Sequence, residues 1–167
     1  KEKLLSLTNA APVPIIFADE SGQITYLNDL ARELLQIELS DGASHSFDDV
    51  RFEITDFNGS PMPQELLPYS IVQRTHQPVF NVKHTVSRQN GERRYLSVNA
   101  MPTFDEQGEF DGIIAVCNDI TDAYRYEEQL RESEHNHRTL FENAPVGIFQ
   151  TTPEAQALAA NPTMARM

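Results

Sequence analysis

Six side chains of this 167-residue chain most readily do chemistry: the histidines His45, His76, His84, His135 and His137, and the lone cysteine Cys117. A single thiol excludes an internal disulfide framework and any metal site built on paired cysteines. The histidines are scattered, and none has the company at ligand spacing that a metal site requires. No Ser/His/Asp, Cys/His or paired-carboxylate arrangement stands out, and no glycine-rich loop of the phosphate-cradling kind is present. His135 and His137, in "RESEHNHRTLF", invite a reading as phosphoacceptors. A phosphoacceptor histidine sits on a more apolar helix and precedes an ATP-binding domain. Neither feature occurs in these residues, so both histidines read as surface residues of a charged helix. Catalysis by this stretch is not expected.

The elements that position these residues follow from periodicity. Residues 1–10 read as a short amphipathic helix with Leu4, Leu5 and Leu7 apolar. In "IIFADESGQITYLN", β-rich runs at 15–18 and 24–27 flank the turn formers Asp19 and Gly22, which predicts a hairpin. "NDLARELLQI" then places Leu30, Leu34, Leu35 and Ile37 at helical spacing, with Asn28 or Asp29 positioned to cap. Residues 38–63, which include His45, are polar and punctuated and predict short helices and turns. "PQELLPYSIVQRT", 63–75, reads as a helix that tolerates Pro68 near its first turn and presents Leu66, Leu67, Ile71 and Val72. His76 falls just beyond it, where solvent exposure is expected.

Three longer β runs follow, "VFNVKHTVSR", "RRYLSVNAMPTFD" and "FDGIIAVCND". Asn90–Gly91 joins the first two with the strongest short hairpin signal, and "DEQGEF" supplies the next turn. Alternation puts Phe80, Val82, His84 and Val86 on one face, and Leu96, Val98 and Ala100 on one face of the second run. The third run is nearly all apolar. A lone inward histidine such as His84 is more often a hydrogen-bonded core residue than a ligand. From Thr121 the pattern turns to helix formers and charge, with Thr121 or Asp122 able to cap. Ala123, Leu130, His137 and Ala144 fall seven apart, and Tyr126, Ser133 and Leu140 form the companion set. Only part of that seam is apolar, so a two-stranded coiled coil and a solvated linker helix stand level. About 20 residues of helix would span roughly 30 Å.

Composition narrows the setting. A formal net charge of −12 argues against a nucleic-acid surface, which needs clustered Lys and Arg. Hydrophobic residues at 40% suffice for the core of one ordinary domain. No apolar run approaches the ~20 residues of a membrane helix, so no membrane contact by this stretch is expected. The start, "KEKLL", has neither an initiator Met nor a signal-peptide run and reads as internal to a longer protein. Single-cysteine usage favours a cytoplasmic, reducing setting, with any membrane anchor in the parent outside these residues. One repeat is visible. "NAAPVPIIFADESGQITYLN", 9–28, is echoed by "ENAPVGIFQTTPEAQALAAN", 142–161. Pro12 and Pro145 lie 133 positions apart (145 − 12), as do Asn28 and Asn161 (161 − 28).

This succession of residues resembles a PAS domain, an α+β fold with a five-stranded antiparallel sheet, flanking short helices and an exit helix. "DESGQITYLNDLARELL" is similar to the opening hairpin and its Asn-led helix. The stretch from "DFNGSPMPQELLPYS" through "EFDGIIAVCNDIT" is similar to the second half of bacterial PAS domains. "NDIT", Asn118 to Thr121, resembles the Asp-(Ile/Val)-Thr signature that ends the fold. The resemblance implies a domain over 11–120, a linker helix over 121–141, and the truncated start of a second PAS domain over 142–167.

It further implies a cavity walled by Leu67, Ile71 and Val72 from the helix and by Phe80, Val82, His84, Val86, Leu96, Val98, Ala100, Ile113, Ala115 and Cys117 from the strands. For most of these, plain hydrophobic core is the simpler reading. Flavin photochemistry is not expected, because residues 40–50 lack the reactive-cysteine helix and Cys117 lies on the last strand. Haem is not expected either, since the helix 63–75 holds no axial histidine. A small apolar or weakly polar ligand, or none, remains. Asp119, Ile120 and Thr121 are expected to tie the last strand to the exit helix and pass a ligand- or dimer-dependent change along it. The resemblance points to a homodimer formed through the N-terminal and linker helices. It also points to an output domain in the same chain, of histidine-kinase type or, second, of GGDEF diguanylate-cyclase type. The alternative is a ligand-free dimerisation and spacer module.

Overall fold

Four tight turns organise the strands. In three of them an aspartate opens a D-x-x-G sequence and its own Oδ1 accepts the backbone N–H groups that follow. Asp19 Oδ1 accepts from Ser21 and Gln23, Asp56 Oδ1 from Asn58 and Ser60, and Asp105 Oδ1 from Gln107 and Glu109. In each the glycine N–H returns to the aspartate carbonyl, and the glycine φ is +84°, +88° and +83°, a region glycine enters without a Cβ penalty. The fourth, at Arg88–Gly91, closes the same way with Asn90 accepting from Glu92 N–H.

A computed structural model describes residues 8–37, 53–88, 90–153 and 156–166. Leu4, Leu5 and Leu7 of the expected N-terminal helix, and the stretch 38–52 with His45, lie outside the described residues. The chain divides into two units, Lys1–Thr121 and Asp122–Met167.

In the first unit, strands β1 (Ile15–Asp19) and β2 (Ile24–Leu27) form the expected hairpin. Helix α1 (Asp29–Leu35) follows, and Asn28 is its N-cap, accepting from Ala31 N–H. After β3 (Glu53–Thr55) come a 3-10 turn (Gln64–Leu66), α2 (Pro68–Thr75), β4 (Val79–Ser87), β5 (Arg93–Phe104) and β6 (Phe110–Asp119). All pairings are antiparallel, in the order β2-β1-β6-β5-β4-β3. The sheet therefore has six strands rather than the expected five. The extra strand is β3, three residues inside a stretch read as turns, paired through Thr55↔Thr85 with a buried hydroxyl-to-hydroxyl hydrogen bond.

The helix expected over 63–75 is two pieces. Leu67 is held extended, at φ −69° and ψ 143°, because the ring of Pro68 disfavours helical geometry in the residue before it. Pro68 then opens α2 at a position where no amide donor is needed. Helix α1 packs on β1 and β2, and α2 on β4, β5 and β6, all on one side of the sheet. Between them lie Ile16, Leu27, Val72, Leu96 and Ile113, each almost wholly excluded from solvent.

Alternation fails once in β4. Val79 pairs with Ala100 and Val82 with Val98, so Phe80 and Asn81 together face the single residue Asn99. Asn81 takes φ +56° and its N–H donates to Asn99 Oδ1 at 2.8 Å. This bulge turns Phe80 outward, to 63% exposure, and Val79 packs against the core in its place.

Helix α3 spans Thr121–Asn143, its first residue closing the first unit, and in the second unit it is followed by β7 (Phe149–Thr151), β8 (Ala157–Ala160) and the short α4 (Pro162–Ala165). Strands β7 and β8 form an antiparallel hairpin with Phe149 opposite Ala160. On α3, Tyr126, Leu130 and Leu140 are all exposed.

Candidate sensing cavity and exit junction

The inward faces of β4, β5 and β6 and the start of α2 enclose a cavity of about 60 Å³. Leu67, His84, Val86, Leu96, Val98, Ile113, Ala115 and Cys117 line it, as the wall expectation has them. Val72 and Ala100 are buried in the same core but do not line it. Ile71 and Val82 are half-buried and stand outside the lining. Phe80 is a correction, since the bulge removes it from the inner face. The expectation also missed residues that do line the cavity. Ile16 and Ile24 come from the first hairpin, Leu35 from α1, Ile54 from β3, and Pro68 and Tyr69 from α2. Ile16 and Ile24 sit in the two β runs already read from the sequence. Ile54 had no such signal, its strand being too short for periodicity.

Two polar-capable groups sit in this apolar wall. Burial holds the His84 imidazole well below its usual range, at about 4, only partly offset by the Thr85 backbone. The ring is therefore neutral at pH 7. Its Nδ1 is buried and, among the described residues, has no hydrogen-bond partner. Burial likewise pushes the Cys117 thiol up to about 12, which keeps it protonated and chemically quiet. Among the described residues no cluster of His, Cys, Asp and Glu could hold a metal ion. The space lined by the described residues, about 60 Å³, is far smaller than the several hundred Å³ typical of pockets for larger organic ligands.

The strand-to-helix junction is tightly bonded. Asp119 Oδ1 accepts both the N–H (2.9 Å) and the hydroxyl of Thr121. The same Thr121 hydroxyl oxygen accepts from Tyr95 N–H at 2.9 Å, and Ile120 N–H donates to Tyr95 C=O at 2.9 Å. Arg94 Nη1 reaches Asp119 Oδ2 at 3.3 Å while its Nη2 reaches Glu92 at 2.9 Å. Glu92 in turn meets Arg88, whose guanidinium donates to the Leu34 and Glu33 carbonyls at the end of α1. One polar chain thus runs from the end of α1, through Arg88 and Glu92 in the β4–β5 turn and Arg94 on β5, to Asp119 at the end of β6 and the first residue of α3.

The family model described as PAS fold matches residues 2–120. The chain belongs to the PAS family. No curated protein sequence matches it. Among solved structures, this PAS chain is similar to an RNA-binding light-oxygen-voltage receptor, at TM-score 0.59 and 19% identity, over 82% of this chain and 38% of that one. The chain thus spans well under half of that receptor. A sensory box histidine kinase/response regulator from Burkholderia thailandensis E264 aligns at TM-score 0.53 and 18% identity, over 83% of this chain and 98% of that one. The PAS domain of nitrogen regulation protein NR(II) from Vibrio parahaemolyticus aligns at TM-score 0.53 and 14% identity, over 70% and 97%. At such identities the likeness establishes the PAS fold. No helix among the described residues is long and apolar enough to cross a membrane.

Proposed function

We propose that this PAS domain is the sensing and relay module of a bacterial signal-transduction protein, a sensor histidine kinase first and a GGDEF diguanylate cyclase second. The observation that carries the reading is the Asp119–Thr121 junction. One threonine hydroxyl joins β5, β6 and the start of α3, so a shift of either strand is a shift of the helix. A change in the cavity or at a dimer surface displaces β5 or β6. The bonds of Asp119, Ile120 and Thr121 then carry it into the exit helix and onward to an output domain in the parent chain. The likeness to a sensory box histidine kinase supports the first choice of output. Asp119→Ala in the full-length parent is expected to uncouple input from output. Unchanged regulation of output by that variant would overturn the role.

The second reading is a ligand-free dimerisation and spacer module in the cytoplasm. It is favoured by the exposed Tyr126, Leu130 and Leu140 on α3, an apolar edge suited to a second copy. Native mass spectrometry of protein purified from its own host separates the two. A stoichiometric small molecule supports sensing, and a clean apo dimer supports the spacer.

Residues 142–167 are read as the start of a second domain of the same fold. Asn161 supports this, because its side chain repeats the bonding of Asn28. Asn28 Oδ1 accepts from Ile15 and Ala31 N–H, and its Nδ2 donates to Val13 C=O. Asn161 Oδ1 accepts from Ile148 and Met164 N–H, and its Nδ2 donates to Val146 C=O. Every partner is displaced by the same 133 positions.

A further inference from the structure

The cavity behind β4, β5 and β6 measures about 60 Å³, and its wall is almost wholly carbon. Leu35, Val86, Leu96, Val98 and Ile113 are among the side chains that form it. The heteroatoms nearby are turned to other work or hidden. The Tyr69 hydroxyl donates to Glu20 C=O, and the buried His84 Nδ1 presents almost no surface. We propose that this cavity takes up one apolar molecule of about two to three non-hydrogen atoms, of the class of light hydrocarbons and dissolved gases. This deepens the sensing reading and rests on it only for what binding does, because occupancy itself is measured on this chain.

Size, polarity and charge each restrict the occupant. A cavity of about 150 Å³ accommodates benzene, so one of about 60 Å³ has room for roughly two to three non-hydrogen atoms. An ordered water typically makes about three hydrogen bonds, which a carbon wall does not supply. An ion would give up its hydration without meeting a countercharge, since no described lining side chain is charged at pH 7. An apolar guest instead gains dispersion contacts with wall atoms that lack neighbours on one side. The wall also gives such a guest a route to the exit junction. Leu96 lines the cavity and lies opposite Asp119 in the β5–β6 ladder. Its neighbour Tyr95 donates to the Thr121 hydroxyl and accepts from Ile120 N–H. A guest that presses on Leu96 therefore presses on the strand residues that hold the start of α3.

The test titrates xenon, ethylene, dioxygen and benzene into the 167-residue chain carrying labelled Val, Leu and Ile methyls. Xenon and ethylene are expected to shift the Leu96, Val98 and Ile113 methyls saturably. Dioxygen should broaden the same methyls through its paramagnetism, and benzene should leave them in place. The tighter binder of ethylene and dioxygen tells the hydrocarbon source from the gas. Ala115→Val adds carbon to the wall and should abolish saturable ethylene binding. Should that variant fail to fold, Val98→Ala decides the matter, because a widened cavity should shift the preference from ethylene towards butane. Methyl shifts that rise linearly without saturation, benzene bound as well as ethylene, or a size preference unchanged in both variants would each overturn the proposal. Occupancy should also move the Tyr95 and Thr121 amides. Saturable binding with those amides unmoved would uphold the occupant and sink the sensing reading, so the two failures are told apart.

Discussion

Asn28 is completely buried, and its one amide group holds the chain at four points. Besides the bonds to Ile15, Ala31 and Val13, its Nδ2 also donates to Thr8 C=O at 2.9 Å. Asn28→Ala would leave buried backbone groups from three segments without partners, at a cost of ~3 kcal/mol or more. Urea unfolding of the first unit is the measure, and a loss under ~1 kcal/mol would contradict the account. His84 acts through its protonation. Its pKa falls from 6.5 unfolded to about 4 folded, so its neutral form belongs to the folded state. That stability is complete above pH 6.5 and is lost as pH falls towards 4, on the order of 3 kcal/mol in all. Glu92, held below the usual carboxylate range by Arg88, loses its contribution only as pH falls below its unfolded 4.5. The window between 6.5 and 4.5 therefore belongs mainly to His84. Between pH 7 and pH 4.5 the chain should lose on the order of 2–3 kcal/mol of stability that His84→Leu keeps, and parallel curves for the two would contradict this account. The inward direction of His84 was legible from alternation. That of Phe80 was not, because alternation assumes an unbroken ladder, and the only local sign of the bulge is an Asn, a residue that tolerates positive φ.

Strand and helix ends are the most legible elements. Each D-x-x-G names an acceptor, a spacing and a residue free to take positive φ, so the turns at Asp19, Asp56 and Asp105 follow from side-chain chemistry alone. The turn at Gly22 has a second constraint. A Cβ there would come 2.9 Å from the Tyr69 ring, whose hydroxyl donates to Glu20 C=O. At Gly112 the constraint is between strands, since an added Cβ would lie 2.1 Å from the Ala18 carbonyl oxygen on β1. Gly112→Ala must push β1 and β6 apart and is expected to cost ~1–3 kcal/mol or more. Thermal unfolding checks it, and a neutral result would mean that the strands are not this close. Sequence could not show this, because the contact lies between residues 94 positions apart (112 − 18). The exit junction offers a finer test. Thr121→Val keeps the shape but removes the hydroxyl that accepts from Tyr95 N–H and donates to Asp119, at a cost of ~1–3 kcal/mol. Amide exchange at Tyr95 and Thr121 should accelerate before that of the β4–β5 ladder. Uniform acceleration would show that the junction has no independent opening. The short β3 and the Leu67–Pro68 break were illegible for opposite reasons. Three residues are too few for a period, and the helical period of 63–75 ran through a proline that the backbone could not follow.

For the molecule as a whole, the order of the hairpins, α2 and the three long strands was legible and sufficed to suggest the family. The cavity was legible on β4, β5 and β6 and at Leu67. Its remaining walls come from five elements, β1, β2, α1, β3 and α2, and their meeting is a product of packing rather than of any local pattern. The 133-residue spacing was visible as an echo in the sequence, and the bonding of the two asparagines gives it atomic content. The positions flanking Asn28 and Asn161 are therefore chemically interchangeable along the chain. On the proposed reading of residues 142–167 as the start of a second domain, a gene cut after codon 28 and rejoined at codon 162 would lose 133 positions (161 − 28), with the same amide still placed to reach back to Ile15 and Val13 and forward to the third residue of the helix that follows. On that reading Asn28 and Asn161 mark the points at which recombination would lengthen or shorten a tandem array.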